Sequence, residues 1–263
     1  MTITVSKDGT KIAFDKTGQG PALIIVAGAF QGRMAMAAYA ESLSKYFTVY
    51  NYDRRGRGDS GDMQPYAIER EVEDINALIQ EAGGSAFVFG GSSGGVLTLD
   101  AAAHGSNITK LAVYEPPFVV DDSRDPVATD MVAQLKDMVG SGRSGDAAEM
   151  FMVKGSLMPA EMVAGMRTQP FWPEVEAVAH TLVYDATIMD GTMRGDSLPT
   201  DRWAAIKIPT LVLYGGAGPA WSRNAAEALV ALLPNAEPQI LTGQFHELTP
   251  EALTPVLAKF FLD

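Results

Sequence analysis

The segment Ala86-Phe-Val-Phe-Gly-Gly-Ser-Ser-Gly-Gly95 constrains this chain more than any other. An apolar run with strand character passes without a linker into Gly90-Gly91-Ser92-Ser93-Gly94, a G-x-S-x-G pattern, and then into the helical run Val96–Ala103. A strand that turns this sharply into a helix lifts Ser92 out of the sheet. The flanking glycines make room for the backbone, and the helix N-terminus offers free N–H groups beside the hydroxyl. The stretch has no lysine for a Walker phosphate loop and no G-x-G-x-x-G pattern for a dinucleotide. Two readings stay open, a nucleophilic serine and a merely structural tight turn.

Around this segment short apolar runs alternate with helical patterns. Ile3–Val5 and Lys11–Phe14 flank the turn Lys7-Asp8-Gly9 and predict an entry hairpin. Ala22–Val26 is an unbroken apolar run, as a strand covered on both faces requires, and Phe47–Tyr52, Ala86–Phe89, Leu111–Tyr114 and Thr210–Tyr214 are short runs rich in apolar or aromatic residues. Met36–Leu43, Ile68–Ala82 and Gly94–His104 read as the helices between them, and Pro250–Leu262 as a terminal helix after Thr249. This alternation implies a mostly parallel sheet with helices on both faces. It breaks between 118 and 199, where Ala128–Val139, Ser144–Val153 and Ala160–Met166 read as helices and no strand run appears. The expected division is a core of residues 1–117 and 200–263 with a helical insertion at 118–199. Nine of the 13 methionines fall in the insertion, and Met158, Met162 and Met166 recur at helical spacing, for plain packing or to line an adaptable apolar pocket.

Composition narrows the classes of function. At 47% hydrophobic residues and 20% charged, the 263-residue chain can build a large core. The absence of cysteine excludes disulfides, thiolate metal sites and a cysteine nucleophile. A net charge of −12 disfavours nucleic acid and anionic membranes as partners. No apolar run reaches the roughly 18 residues of a membrane span, and the first residues lack the apolar stretch of a signal peptide. The expectation is a cytoplasmic protein, monomer or homodimer, acting on a small molecule.

Four ordered motifs resemble the α/β-hydrolase family over nearly the whole chain. Beyond the turn at Ser92 these are Tyr52-Asp-Arg-Arg-Gly-Arg-Gly-Asp-Ser60, Pro209-Thr-Leu-Val-Leu-Tyr-Gly-Gly216 and Gly243-Gln-Phe-His246. The resemblance implies an eight-stranded, mostly parallel sheet, catalytic loops at the carboxyl ends of the strands, and a helical cap inserted after the sixth strand. It implies that Ser92 is the nucleophile and His246 the base. His104 ends the helix after Ser92, and His180 in the insertion is read as a cap or pocket-wall residue.

The acid departs from the usual pattern, because most of the family has an aspartate where this chain has Gly218. Glu115, in Tyr114-Glu-Pro-Pro117, stands where some members carry the acid instead; zearalenone-type lactonases resemble it in having Glu-Leu-Pro there. Asp121 and Asp122 are alternatives, and Glu247 adjoins His246 too closely to orient it. For the oxyanion hole the resemblance implies the N–H of Ser93 and one from Ala29, or from Gly28, although Ala27 replaces the histidine common in that loop. Interleaved charges at Asp53, Arg54, Arg55, Arg57 and Asp59 read as a self-satisfied loop network rather than a phosphate site. Phe30, Trp172, Met158, His180 and Trp221 are candidate pocket walls.

These features together predict hydrolysis of an ester or lactone of a neutral, hydrophobic molecule, with no metal or organic cofactor. The alternatives are C–C hydrolysis, lyase or perhydrolase chemistry with the same residues, or a ligand-binding member without catalysis, which the missing aspartate at 218 motivates.

Overall fold

In the computed structural model, which describes residues 1–263, apolar strands stack into one eight-stranded sheet. The strands are β1 (Thr2–Val5), β2 (Lys11–Thr17), β3 (Ala22–Val26), β4 (Thr48–Tyr52), β5 (Ala86–Gly91), β6 (Ile108–Tyr114), β7 (Thr210–Gly215) and β8 (Ala236–Leu241). Their order is β1-β2-β4-β3-β5-β6-β7-β8; β1 and β2 pair antiparallel, as do β2 and β4, and all other neighbours are parallel. Pro238, which has no N–H to give a ladder, is accommodated because β8 is an edge strand.

Alternation along each strand divides the core in two. Ile24, Val26, Val88, Leu111, Val113 and Val212 point into the larger cluster, while Leu23, Ile25, Phe89, Ala112, Leu211 and Leu213 point into the smaller. The smaller face is covered by α1 (Ala37–Leu43) and α10 (Pro250–Leu262). Thr249 caps α10 by accepting from the Ala252 N–H, with Pro250 preset in the first turn. The larger face is covered by α2 (Ile68–Glu81), α3 (Ser93–Ala103) and α9 (Ala220–Leu232), together with much of the segment between β6 and β7. Each fully buried Leu, Ile or Val side chain contributes about 1.5–3 kcal/mol relative to exposure.

The segment between β6 and β7 contains only helices: α4 (Met131–Gly140), α5 (Ser144–Met150), α6 (Ala160–Met166), α7 (Trp172–Ala177) and α8 (Leu182–Met189). Two expectations need correction here. The run expected as one helix over Ser144–Val153 changes after Met150 into a π-helical turn, Phe151–Gly155, a distortion that recurs near functional sites. The methionine stripe holds only in part as a packed face, Met158 and Met166 packing against the larger cluster. Met158 lies ahead of α6 and Met162 is exposed, so Val163 is the residue that α6 buries. No helix of the chain is long and apolar enough to cross a membrane.

Candidate active site

Four non-glycine residues have positive φ, and three of them meet at the carboxyl ends of the central strands: Phe30 (63°), Ser92 (53°) and Glu115 (43°). Such backbone is strained for residues with a Cβ and is held only where the surroundings over-determine it. Ser92 caps α3 directly after β5, as the turn of glycines requires. Its N–H donates to Tyr114 O at 2.8 Å, which ties the turn to the end of β6. Gly28, after β3, packs so closely that a Cβ there would lie 3.2 Å from Ser92 Cβ and 3.3 Å from Gly91 O. That contact brings the β3 loop alongside the serine.

Glu115 is 1% exposed and both its oxygens are engaged. Oε1 accepts from the Gly215 N–H at 2.8 Å, and Oε2 lies 2.7 Å from His246 Nδ1. An ionised carboxylate only accepts, so Nδ1 carries the hydrogen and Nε2 keeps its lone pair for a proton. Tyr114 OH donates to Phe245 O and its ring stacks on that of His246, with centroids 6.3 Å apart. His246 remains half exposed, and no hydrogen bond joins Nε2 to Ser92 Oγ; such bonds often tighten only when substrate is bound.

Gly218 leaves room for the Glu115 carboxylate. A Cβ on Gly218 would point to within 3.5 Å of Glu115 Oε1, so the carboxylate fills the space into which an aspartate at 218 would project. Asp121 instead bonds to Ser123 and Asn224.

Beneath the serine lies a network that sequence reading placed only in part. The Arg54, Arg55 and Arg57 guanidiniums are indeed satisfied, but by carboxylates far away in the chain rather than by their neighbours. Arg54 bonds Glu71 twice at 2.7 Å and Asp185 at 2.7 Å, Arg55 bonds Asp74 and Asp8, and Arg57 bonds Asp185 at 2.5 Å. Asp53 serves Arg33 and the Asp59 N–H. Asp185, on α8, also accepts from Ser93 Oγ at 2.7 Å. Burial raises its pKa, but the two arginines outweigh that and hold it below the ordinary carboxylate range. Arg57 Nη1 donates to Gly28 O at 2.6 Å and to Gln31 O at 3.2 Å, and Arg54 to Ala27 O at 3.3 Å. The loop after β3, the candidate oxyanion loop, is thus gripped by its carbonyls rather than by its N–H groups. One of these is already used. The Gly28 N–H donates to Gln31 Oε1 at 3.2 Å, which corrects Gly28 as an oxyanion donor and leaves Ala29 from this loop.

The pocket candidates divide. Phe30 packs edge-on against Phe151, with ring centroids 5.7 Å apart, and helps line a cavity of about 340 Å³ with Arg33, Asp59, Phe171 and Glu174; Ser92 is not among its walls. Trp172 is corrected. It is buried within the insertion, its indole donating to Glu176, and Phe171 faces the cavity instead. His180 sits 3.6 Å from Asp62, against the loop after β4. Met158 only packs against the edge of the larger core cluster. Trp221, in the first turn of α9, lies under the Arg124 guanidinium at 5.0 Å. Sequence reading missed Asp185 and Arg124. A single charge inside the otherwise apolar Leu182–Met189 was the available signal for the first, and Asp121-Asp-Ser-Arg-Asp125 held none for the second.

The fold and this arrangement define a class. The profile of the alpha/beta hydrolase family matches residues 23–254, and the chain belongs to that family. A solved alpha/beta hydrolase from Sphaerobacter thermophilus is 52% identical, covers 99% of this chain and 100% of its own, and superposes with a TM-score of 0.91. The uncharacterized hydrolase YraK of Bacillus subtilis is 31% identical over 44% of this chain and 46% of its own length. N-formylmaleamate deformylase of Pseudomonas putida is 34% identical over 38% and 39%. The chain therefore spans less than half the length of these two curated relatives.

Proposed function

We propose that the protein is a serine hydrolase that cleaves an ester or lactone through an acyl-enzyme on Ser92. Ser92 Oγ attacks the carbonyl carbon and its proton passes to His246 Nε2. The carbonyl oxygen, now negative, is held by the N–H groups of Ala29 and Ser93. Collapse breaks the carbonyl–oxygen bond, and the departing alkoxide takes the proton from the imidazolium. Water then repeats the sequence on the acyl-enzyme and releases the acid. Glu115 holds the ring tautomer and balances the imidazolium charge. The helical segment at 118–199 is the cap over this site, its Phe151 meeting Phe30 beside the oxyanion loop.

The observation that carries this reading is the 2.7 Å bond from His246 to a buried carboxylate at the position where the missing aspartate would otherwise act. It supports catalysis over the ligand-binding alternative. The test is intact-mass labelling by a small fluorophosphonate. One adduct is expected, absent in Ser92→Ala and slowed about 10³-fold or more in Glu115→Gln. Combining Gly218→Asp with Glu115→Ala, which vacates that space, is expected to restore part of the rate that Glu115→Ala alone loses. An adduct that persists in Ser92→Ala overturns the assignment.

A further inference from the structure

Five arginines are buried, and four of them, Arg33, Arg54, Arg55 and Arg57, are met by carboxylates of the chain. Arg124 is the fifth. It is 6% exposed although Asp122, Ser123 and Asp125 around it face solvent, and no Asp or Glu pairs with it. Nη2 donates to the Gly155 carbonyl, Nε has no partner, and the guanidinium plane rests on Trp221. Burial pushes its pKa down to about 10 with no carboxylate opposing, so it is still a cation at neutral pH.

Its neighbours connect, along the chain and through single contacts, to residues around Ser92. Arg124 lies nine residues beyond Glu115 on the same connection. Trp221 lies three residues beyond Gly218, which abuts the Glu115 carboxylate. Gly155 ends the π-helical turn whose first residue, Phe151, packs on Phe30 next to Ala29. A stacked, planar fork with unused donors is the chemistry that recognises a carboxylate in two-point fashion.

We propose that Arg124 is an anion subsite of the Ser92 pocket and that the substrate carries a carboxylate on an otherwise apolar body. This rests on the serine-hydrolase reading and replaces the neutral substrate expected from overall charge. The −12 of the whole chain describes its exterior, whereas the one uncompensated buried cation is local.

Two arms test it. In turnover, the phenyl hemiester of adipic acid is compared with phenyl hexanoate, which has a methyl group in place of the carboxylate. The expected kcat/KM preference for the hemiester is about 10- to 100-fold. Arg124→Met is expected to abolish that preference while leaving the hexanoate rate within about threefold. In binding, calorimetry with adipate on Ser92→Ala is expected to give an affinity that the added Arg124→Met removes. Should Arg124→Met not fold, Arg124→Lys keeps the charge but loses the fork and is expected to lower the hemiester preference alone. Equal preference in wild type and variant, or adipate affinity indifferent to residue 124, overturns the proposal. If Ser92 is not the nucleophile, neither ester turns over, yet the binding arm still reports on Arg124.

Discussion

Arg57 and Arg124 are both buried cations, and the protein treats them in opposite ways. Arg57 is held by Asp185 and gives its other donors to the Gly28 and Gln31 carbonyls and the Thr181 hydroxyl. Arg124 has a carbonyl, an indole face and no anion. Removing an ion from water costs several kcal/mol, recovered only with a close counter-charge and satisfied hydrogen bonds. The first arrangement is therefore architecture. The second is unfavourable in the protein alone, and its use lies in what it binds.

Substitutions sharpen this contrast. The largest effect is expected for Asp185→Asn, which keeps shape but leaves Arg57 without its anion and Arg54 with Glu71 alone. Breaking a buried pair on one side costs about 3–5 kcal/mol, so chemical denaturation should show a loss of that order. A loss under about 1 kcal/mol would place Asp185 among the dispensable partners and erase the contrast. Arg124→Met is expected to act in the other direction. Removing a buried, uncompensated charge should raise stability by about 1–3 kcal/mol, visible as a higher melting temperature. A lower one would mean that the Gly155 and Trp221 contacts brace the fold.

The smallest effect is expected at the rim of the paired network, and it depends on pH. Burial raises the Asp8 carboxyl pKa, but the Thr10 N–H and hydroxyl and Arg55 outweigh that and bring it to about 2. An acid whose folded pKa is depressed contributes stability above its unfolded value, near 4, and loses it as pH falls toward 2. Asp8→Asn should thus be less stable than wild type at pH 7, the two acid-unfolding curves converging near pH 2. A gap that stays constant over that range would remove Asp8 from the network.

Much of this molecule could be read from the chain. Apolar runs such as Ala22–Val26 and Leu211–Tyr214 report strands covered on both faces, because only there must successive residues, which point to opposite faces, all be apolar. The turn at Ser92 is equally legible, since its backbone demands glycines at fixed places. Glu115 could be reached through a gap, Gly218, together with a carboxylate at the end of the neighbouring strand. What escaped depends on tertiary phase. Whether Phe171 or Trp172 faces a cavity turns on about 100° of helix rotation, which adjacent aromatics do not reveal. Asp185 meets Arg54 across 131 residues of chain, so no local pattern couples them. Arg124 differs from a surface arginine only in the direction its side chain takes.

Asp185 has a last consequence, for how the molecule breathes. It sits on α8, inside the segment between β6 and β7, yet its partners lie outside that segment, Arg54 and Arg57 in the loop after β4 and Ser93 at the start of α3. Lifting α8 would separate charges in a medium of low polarity, so its amides should exchange with solvent deuterium only through global unfolding. α6 has no such tether. Nearby Arg167 pairs only with the exposed Asp146 and Glu149, and α6 buries a single side chain, Val163. The amides of α6 are therefore expected to exchange well before those of α8, and hydrogen exchange read peptide by peptide checks that order.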